Sequence, residues 1–286
     1  MLTAQTLVKK FGDLKTLPHV AIRLNRLISR GDTAMAEFER VIKTDPVLVL
    51  RLLRVVNSPY YGPLQKIDNI SRAVVFMGMK NLRNMVVTMA LRSVFEGSSV
   101  CDSETFSRRH LWLHCTAVSI CSQMISERIF GSEGDDAYLC GILHDIGMIV
   151  EDQAAPDLFI KACEMHRTDA KSFTEYEKEI MGDDHCEVGH LLACEWNLPA
   201  DVQNGILHHH NTQETISPTS AAGVIQLAEY MVSRLNYKAL PGMEPVLSKD
   251  IIAYLKDNIE EFRALAMDLP DEIAKGIEMY ELQGDE

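Results

Sequence analysis

Apolar residues in this chain recur at three- and four-residue spacing, and its first 95 residues contain no sustained two-residue alternation of β-branched side chains. A packed helix needs the first pattern and a half-buried strand the second. The chain is therefore restricted to helices, and an all-α fold is predicted. Leu17-Pro18 places proline at a first helical position, where its missing N–H costs nothing, and Gly31 stops the apolar run of Val20, Leu24, Leu27 and Ile28. A second helix is predicted over residues 34–43, burying Phe38, Val41 and Ile42. Asp45-Pro46 pairs an N-cap with a proline start for a third, which buries Leu48, Leu52, Val55 and Val56. The cluster from Asn57 to Pro63 is a turn. Ser71 is the expected cap of the next helix, and Gly78 separates that helix from another over about residues 81–95.

Gly97-Ser98-Ser99 marks a break, after which residues 105–130 read as a long helix with His110, His114, Ala117, Cys121 and Ile125 on one face. Beyond the loop at Gly131 to Gly134, the next helix is expected to carry His144-Asp145 to its end at Gly147, and Pro156 starts another. Gly182-Asp183-Asp184 sets an N-cap before His185, Leu198-Pro199 starts a helix running into His208-His209-His210, and Ser217-Pro218 opens one that holds Ile225, Ala228 and Glu229. After Pro241-Gly242 the chain is acidic and helical. Ile251, Tyr254, Leu255, Ile259 and Phe262 form an apolar stripe expected to dock it on the body.

Composition narrows the partners. A net charge of −13 excludes a sequence-independent grip on nucleic acid, which needs clustered Lys and Arg. No apolar run approaches the ~20 residues that cross a bilayer, so no membrane partner is expected, and the start of the chain lacks the features of a secretory signal. Seven cysteines without framework spacing fit reduced thiols and a cytoplasmic location.

Within the apolar run from Gly141 to Gly147 stand an imidazole and a carboxylate, His144 and Asp145. Burying them without partners would cost several kcal/mol, on the order of 2–7 per group. Either they pair by a hydrogen bond or they meet a divalent metal, whose usual ligands are these two groups. The other histidines, at 110, 114, 185, 190 and 208–210, lie on separate segments that could converge on the same pocket.

Leu17-Pro18, Thr44-Asp45-Pro46, Arg51-Leu52-Leu53-Arg54, Asn57-Ser58, Tyr61-Gly62, Ile70-Ser71-Arg72-Ala73 and Met77-Gly78 follow one another in an order that resembles the HDOD family. These are bacterial signalling output domains related to the HD phosphohydrolases, and the likeness runs from about residue 14 to about residue 235. It implies a multi-helix fold in which an N-terminal helical lobe (1–96) packs on an HD-like helical lobe (97–240), with a C-terminal helical extension (241–286). It also implies a regulatory role exercised on a signalling protein partner. By motif order it assigns His114, His144, Asp145, His185, His209, His210 and Glu229 to a site for a divalent metal, with Fe, Mn, Zn, Ni and Mg not distinguished. His208 flanks that set, while His110 and His190 have no place in it.

The alternative is a metal-dependent phosphohydrolase acting on a nucleotide or cyclic dinucleotide, with Asp145 as its catalytic group. Three departures count against it. Met148 stands where hydrolytic relatives of the HD-GYP kind carry Lys, Asn211 to Glu214 replace Gly-Tyr-Pro, and the distal Asp is Glu229, one methylene longer. The Arg and Lys side chains at 51, 54, 72, 80 and 83 mark the N-terminal lobe as the place to look for a partner.

Overall fold

The computed structural model describes residues 2–14, 19–29, 34–95, 104–168, 171–213 and 215–281, and every regular element among them is a helix. The Leu17-Pro18 start, the Gly31 stop, the Gly97-Ser98-Ser99 break and Glu214 lie outside the described residues. The first element, α1 (Ala4–Leu14), is a helix not anticipated from the sequence. It packs against α9 and α12 of the later half, defined below, and the Ala4 N–H donates to the Asp183 carboxylate at 2.7 Å.

Five helices then pack among themselves: α2 (His19–Ser29), α3 (Met35–Ile42), α4 (Pro46–Val56), α5 (Ile70–Met77) and α6 (Met79–Phe95). Asp45 caps α4 as expected, accepting from the N–H groups of Val47 and Leu48 at 3.0 Å. Leu52, Val55 and Val56 face inward. The cap of α5 is Asn69 rather than Ser71. The Asn69 amide oxygen accepts from the Arg72 N–H, which leaves the Ser71 hydroxyl to donate to Glu39 of α3. Asn57 closes the turn before it by exchanging hydrogen bonds with both backbone groups of Ile67, at 2.7 and 2.8 Å.

The second set is built around α7 (Arg108–Met124), buried almost all round, which widens into one π-type turn (Ile125–Ile129). Its start at Arg108 lies three residues after the expected one, because the Ser107 hydroxyl is the cap. Against α7 pack α6, α8 (Asp135–Leu143), α14 (Ala221–Ser233) and α16 (Ile259–Glu281). Around these lie α9 (Ile146–Ala154), α10 (Pro156–Thr168), α11 (Phe173–Ile180), α12 (His185–Glu195), α13 (Ala200–His208) and α15 (Lys249–Asp257). The acidic tail docks through Phe262, Leu265, Leu269 and Ile273, all buried. Buried apolar side chains from both sets form one contiguous core. No helix among the described residues is long and apolar enough to cross a membrane.

Polar contacts tie the two sets together where α6 meets the start of α8. Arg83, only 1% exposed, donates to Asp136 at 2.8 Å, and the Asn84 amide donates to the carbonyl of Asp135 at 2.7 Å. A guanidinium this buried needs such partners, since an unpaired one would be costly.

His144-Asp145 does not ride to the end of one helix. The chain breaks there: α8 stops at Leu143, the pair forms a turn, and α9 begins at Ile146, so that Gly147 is inside α9. A Cβ on Gly147 would lie 2.0 Å from the backbone oxygen of His185, and one on Gly141 would lie 2.5 Å from Cα of Ser119. Both obstacles are backbone, which cannot swing aside. The glycines at each end of the motif thus let α8 seat on α7 and α9 seat on α12. Gly147→Ala is expected to destabilise the protein by about 1–3 kcal/mol through overpacking, read as a lowered thermal midpoint. Gly12→Ala, where nothing lies within 4 Å, is expected to leave the midpoint unchanged or raised.

Candidate metal centre

The seven residues assigned by motif order arrive on five segments and meet at one place. His114 comes from the middle of α7, His144 and Asp145 from the break between α8 and α9, and His185 from the first position of α12. His209 and His210 follow the end of α13, and Glu229 comes from α14. His144, Asp145, His185 and His209 are completely buried. His110 and His208 stay outside the cluster, and His190 pairs instead with the carbonyl of Gln203 at 3.1 Å. The longer Glu229 also reaches the cluster. Its extra methylene does not take it off the site: Oε1 lies 3.6 Å from His144 Nε2 and 3.9 Å from His114 Nε2.

Asp145 divides the cluster. Oδ2 faces the Nε2 atoms of His144 (3.3 Å) and His114 (3.5 Å), while Oδ1 faces those of His185 (3.4 Å) and His209 (3.5 Å). Donor atoms of Asp145, His185, His209 and His210 lie within 4.8 Å of one another, and so do those of His114, His144 and Glu229. Two adjoining sets result, with Asp145 between them.

The outer ring nitrogens fix which atom points inward. The Nδ1–H groups of His114, His144 and His209 donate to the carbonyls of Tyr237 (3.0 Å), Gly141 (2.7 Å) and Ile206 (2.7 Å). His185 Nδ1 donates to the Glu177 carboxylate at 2.7 Å. A neutral imidazole with its proton on Nδ1 presents a lone pair at Nε2. Those lone pairs confront one another: Nε2 of His114 and His144 are 3.1 Å apart, and Nε2 of His185 and His209 are 3.4 Å apart. Both Asp145 oxygens, Glu229 Oε2 and His210 Nε2 are buried with no hydrogen-bond partner. Acceptors crowding on acceptors in a dry interior is costly unless a cation lies among them. The donor set therefore fits a divalent metal by its chemistry as well as its spacing.

Without a metal, a proton takes part of that role. Burial opposes charge on His144, yet the Asp145 and Glu229 carboxylates overcome it and lift the ring to about 10. Burial likewise works against both carboxylates, and the facing imidazoles overcome it, holding Asp145 well below the usual range and Glu229 at about 2. Burial and the adjacent His209 ring push His210 down to about 3. Cys115 lies beside His144 and Asp145, but burial and the neighbouring carboxylates push its thiol well up, and it remains an uncharged packing group.

Glu177 was absent from the sequence expectation. It sits on α11, fully buried, and also accepts from the His185 backbone N–H at 3.3 Å. Behind it lies Glu151, likewise fully buried; burial and Glu177 together push its carboxyl well above the usual range. The Ser172-x-x-Glu175 capping box that starts α11 is visible in the sequence and could have placed this helix.

The model of the HDOD domain matches residues 14–212. The chain belongs to the HDOD family. Six of the seven cluster residues lie inside the matched HDOD span, and Glu229 lies beyond it. A solved HDOD domain protein of unknown function from Geobacter sulfurreducens is 26% identical, with a TM-score of 0.68 over 92% of this chain and 97% of its own. A Shewanella amazonensis structure described as a "Putative phosphohydrolase" is 25% identical, with a TM-score of 0.71 over 97% of this chain and 98% of its own. An uncharacterized protein of Treponema pallidum is 29% identical over 214 residues, 73% of this chain. That match spans only 40% of the Treponema protein's length.

Glu177→Ala is expected to lower metal affinity by about 10–100-fold, because the carboxylate orients His185 and raises its basicity. Glu177→Gln, whose amide oxygen can still accept from Nδ1–H, is expected to recover most of it. Chelator competition on the purified protein measures both, and unchanged affinity in the alanine variant would remove Glu177 from the centre.

Proposed function

We propose that this HDOD protein is a cytoplasmic signal-transduction module that acts through protein partners, and that its histidine–carboxylate cluster holds a divalent metal in a structural or sensory role. The observation that carries the metal is the convergence of four Nε2 lone pairs on the unpartnered oxygens of Asp145. Five imidazoles and two carboxylates form a nitrogen-rich set. That chemistry favours iron, zinc or nickel over magnesium, which prefers oxygen ligands. When bound, such an ion would supply a Lewis acid able to polarise water or a phosphoryl oxygen.

The surroundings support regulation over hydrolysis. A cavity of about 660 Å³ opens beside His210 and Cys186, and Glu175, Asp184, Glu187 and Glu244 line it. Its one lysine, Lys178, is already paired with Asp184 at 2.7 Å. Phosphoryl transfer works by positioning and by offsetting charge on the phosphate oxygens, and this mouth repels them. Met148, at the position where HD-GYP relatives carry Lys, is buried in the core and offers no charge. Loss of one such contact typically costs about 10²–10³ in rate.

One feature favours a second reading, a metal-dependent phosphohydrolase. Asp145 lies between two donor sets, the arrangement in which paired ions could hold a phosphodiester. The two readings separate in one pair of measurements. The purified protein is expected to contain divalent metal, and His144→Ala and Asp145→Ala are each expected to lose most of it. Loaded with manganese or iron, the unmodified protein is expected to hydrolyse neither a cyclic dinucleotide nor a mononucleotide. Hydrolysis that disappears in Asp145→Ala would make the enzyme reading primary, and metal content unchanged in both variants would show the ligand assignment to be wrong.

A further inference from the structure

Residues 46–80 carry five basic side chains (Arg51, Arg54, Lys66, Arg72 and Lys80) and a single acidic one, Asp68, in a chain of net charge −13. The same stretch exposes apolar side chains in order. Val47, Leu50, Arg51 and Arg54 fall at one-turn spacing along the outer side of α4, with Leu50 70% exposed. Arg72, Val75 and Phe76 do the same on α5, with Val75 77% exposed, and Leu64 in the connecting loop is fully exposed. The two helices pack on each other and turn their other faces, Leu52, Val55 and Val56 with Ile70, Ala73 and Val74, to the core. Their outer stripes therefore lie side by side, an apolar patch studded with cations. Large exposed apolar patches mark interaction sites more often than chance.

A surface of opposite character lies elsewhere on the same chain. Residues 249–281, which form α15 and α16, carry nine acidic and four basic side chains. They also expose Ile252, Ile259 and Met267. The loop between α4 and α5 meets α16: Tyr60 and Tyr61 line a small cavity together with Gly276 and Met279.

We propose that this chain forms a twofold-symmetric dimer in which the α4–α5 stripe of each copy lies on the acidic α16 face of the other. Two copies of net charge −13 repel in most orientations. Bringing basic stripe against acidic helix offsets that repulsion and removes the exposed apolar groups on both sides from water. Because the α4–α5 loop meets α16 at that cavity, the stripe and the acidic helix belong to neighbouring elements, and a twofold axis between them would satisfy both contacts at once and close the assembly, leaving no free stripe to recruit a third copy. None of these residues belongs to the metal cluster, so the dimer stands or falls apart from the metal assignment.

Sedimentation velocity of the full chain over a concentration series tests this at about 0.05 M and about 0.5 M salt. A dimer is expected at low salt, with dissociation at least about tenfold easier at high salt. Arg51→Glu with Arg54→Glu is expected to give a monomer, and so is Asp271→Lys with Glu278→Lys. All four positions are exposed, so the fold should be kept, as unchanged circular dichroism and metal content would verify. Mixing the two charge-reversed proteins is the decisive arm. One contact then pairs reversed stripe with reversed helix, the other pairs native with native, and the heterodimer should return. A monomer at all concentrations, a dimer indifferent to the substitutions, growth into open polymers, or failure of the mixture to associate would each overturn the proposal.

Discussion

The approach of two backbones, α9 onto α12, governs the centre of this molecule. At Gly147 there is room for a hydrogen and nothing more before the carbonyl of His185. That contact sets Asp145, two residues earlier, within 3.4 Å of the His185 ring. The Gly141 contact does the same for α8 against α7 and so brings His144 to His114. A cluster built from five segments needs its helices closely spaced. Here small residues beside it provide that spacing, and the cluster side chains need not hold the helices together by themselves.

Much of this was legible in the sequence because it was written in side chains. The 3.6-residue period gave the all-helical fold, Asp45 and Asp184 announced their helices as caps, and motif order named the seven cluster residues. Other features have no side-chain signature. The acceptors that fix three of the rings are carbonyls of Tyr237, Gly141 and Ile206, and a backbone oxygen looks the same in every residue. The break of the helix at His144-Asp145 was hidden for a similar reason. An apolar run continues across it, and only tertiary packing decides where the chain turns. Asn69 displaced Ser71 as a cap because both are good caps and Glu39 of α3 offered the serine a different partner. Helix α1 went unseen because its burial is against α9 and α12, far along the chain.

The cluster also illustrates how a protein can keep an ionic arrangement in a dry interior. Four of the five imidazoles discharge one nitrogen onto a fixed acceptor and turn the other toward Asp145. In the absence of an ion, a proton on His144 balances part of the carboxylate charge. The mouth beside His210 is acidic, and its charge favours cations over phosphates.

Helix α8 has a mechanical consequence. Its nine residues form a rod roughly 13 Å long. One end is clamped to α6 by Arg83 on Asp136 and Asn84 on Asp135, and the other end delivers His144 and Asp145. In that sense the helix is a short strut: the contact with the first five-helix set and the His144-Asp145 pair sit at opposite ends of one rod, in an interior packed too closely to compress much.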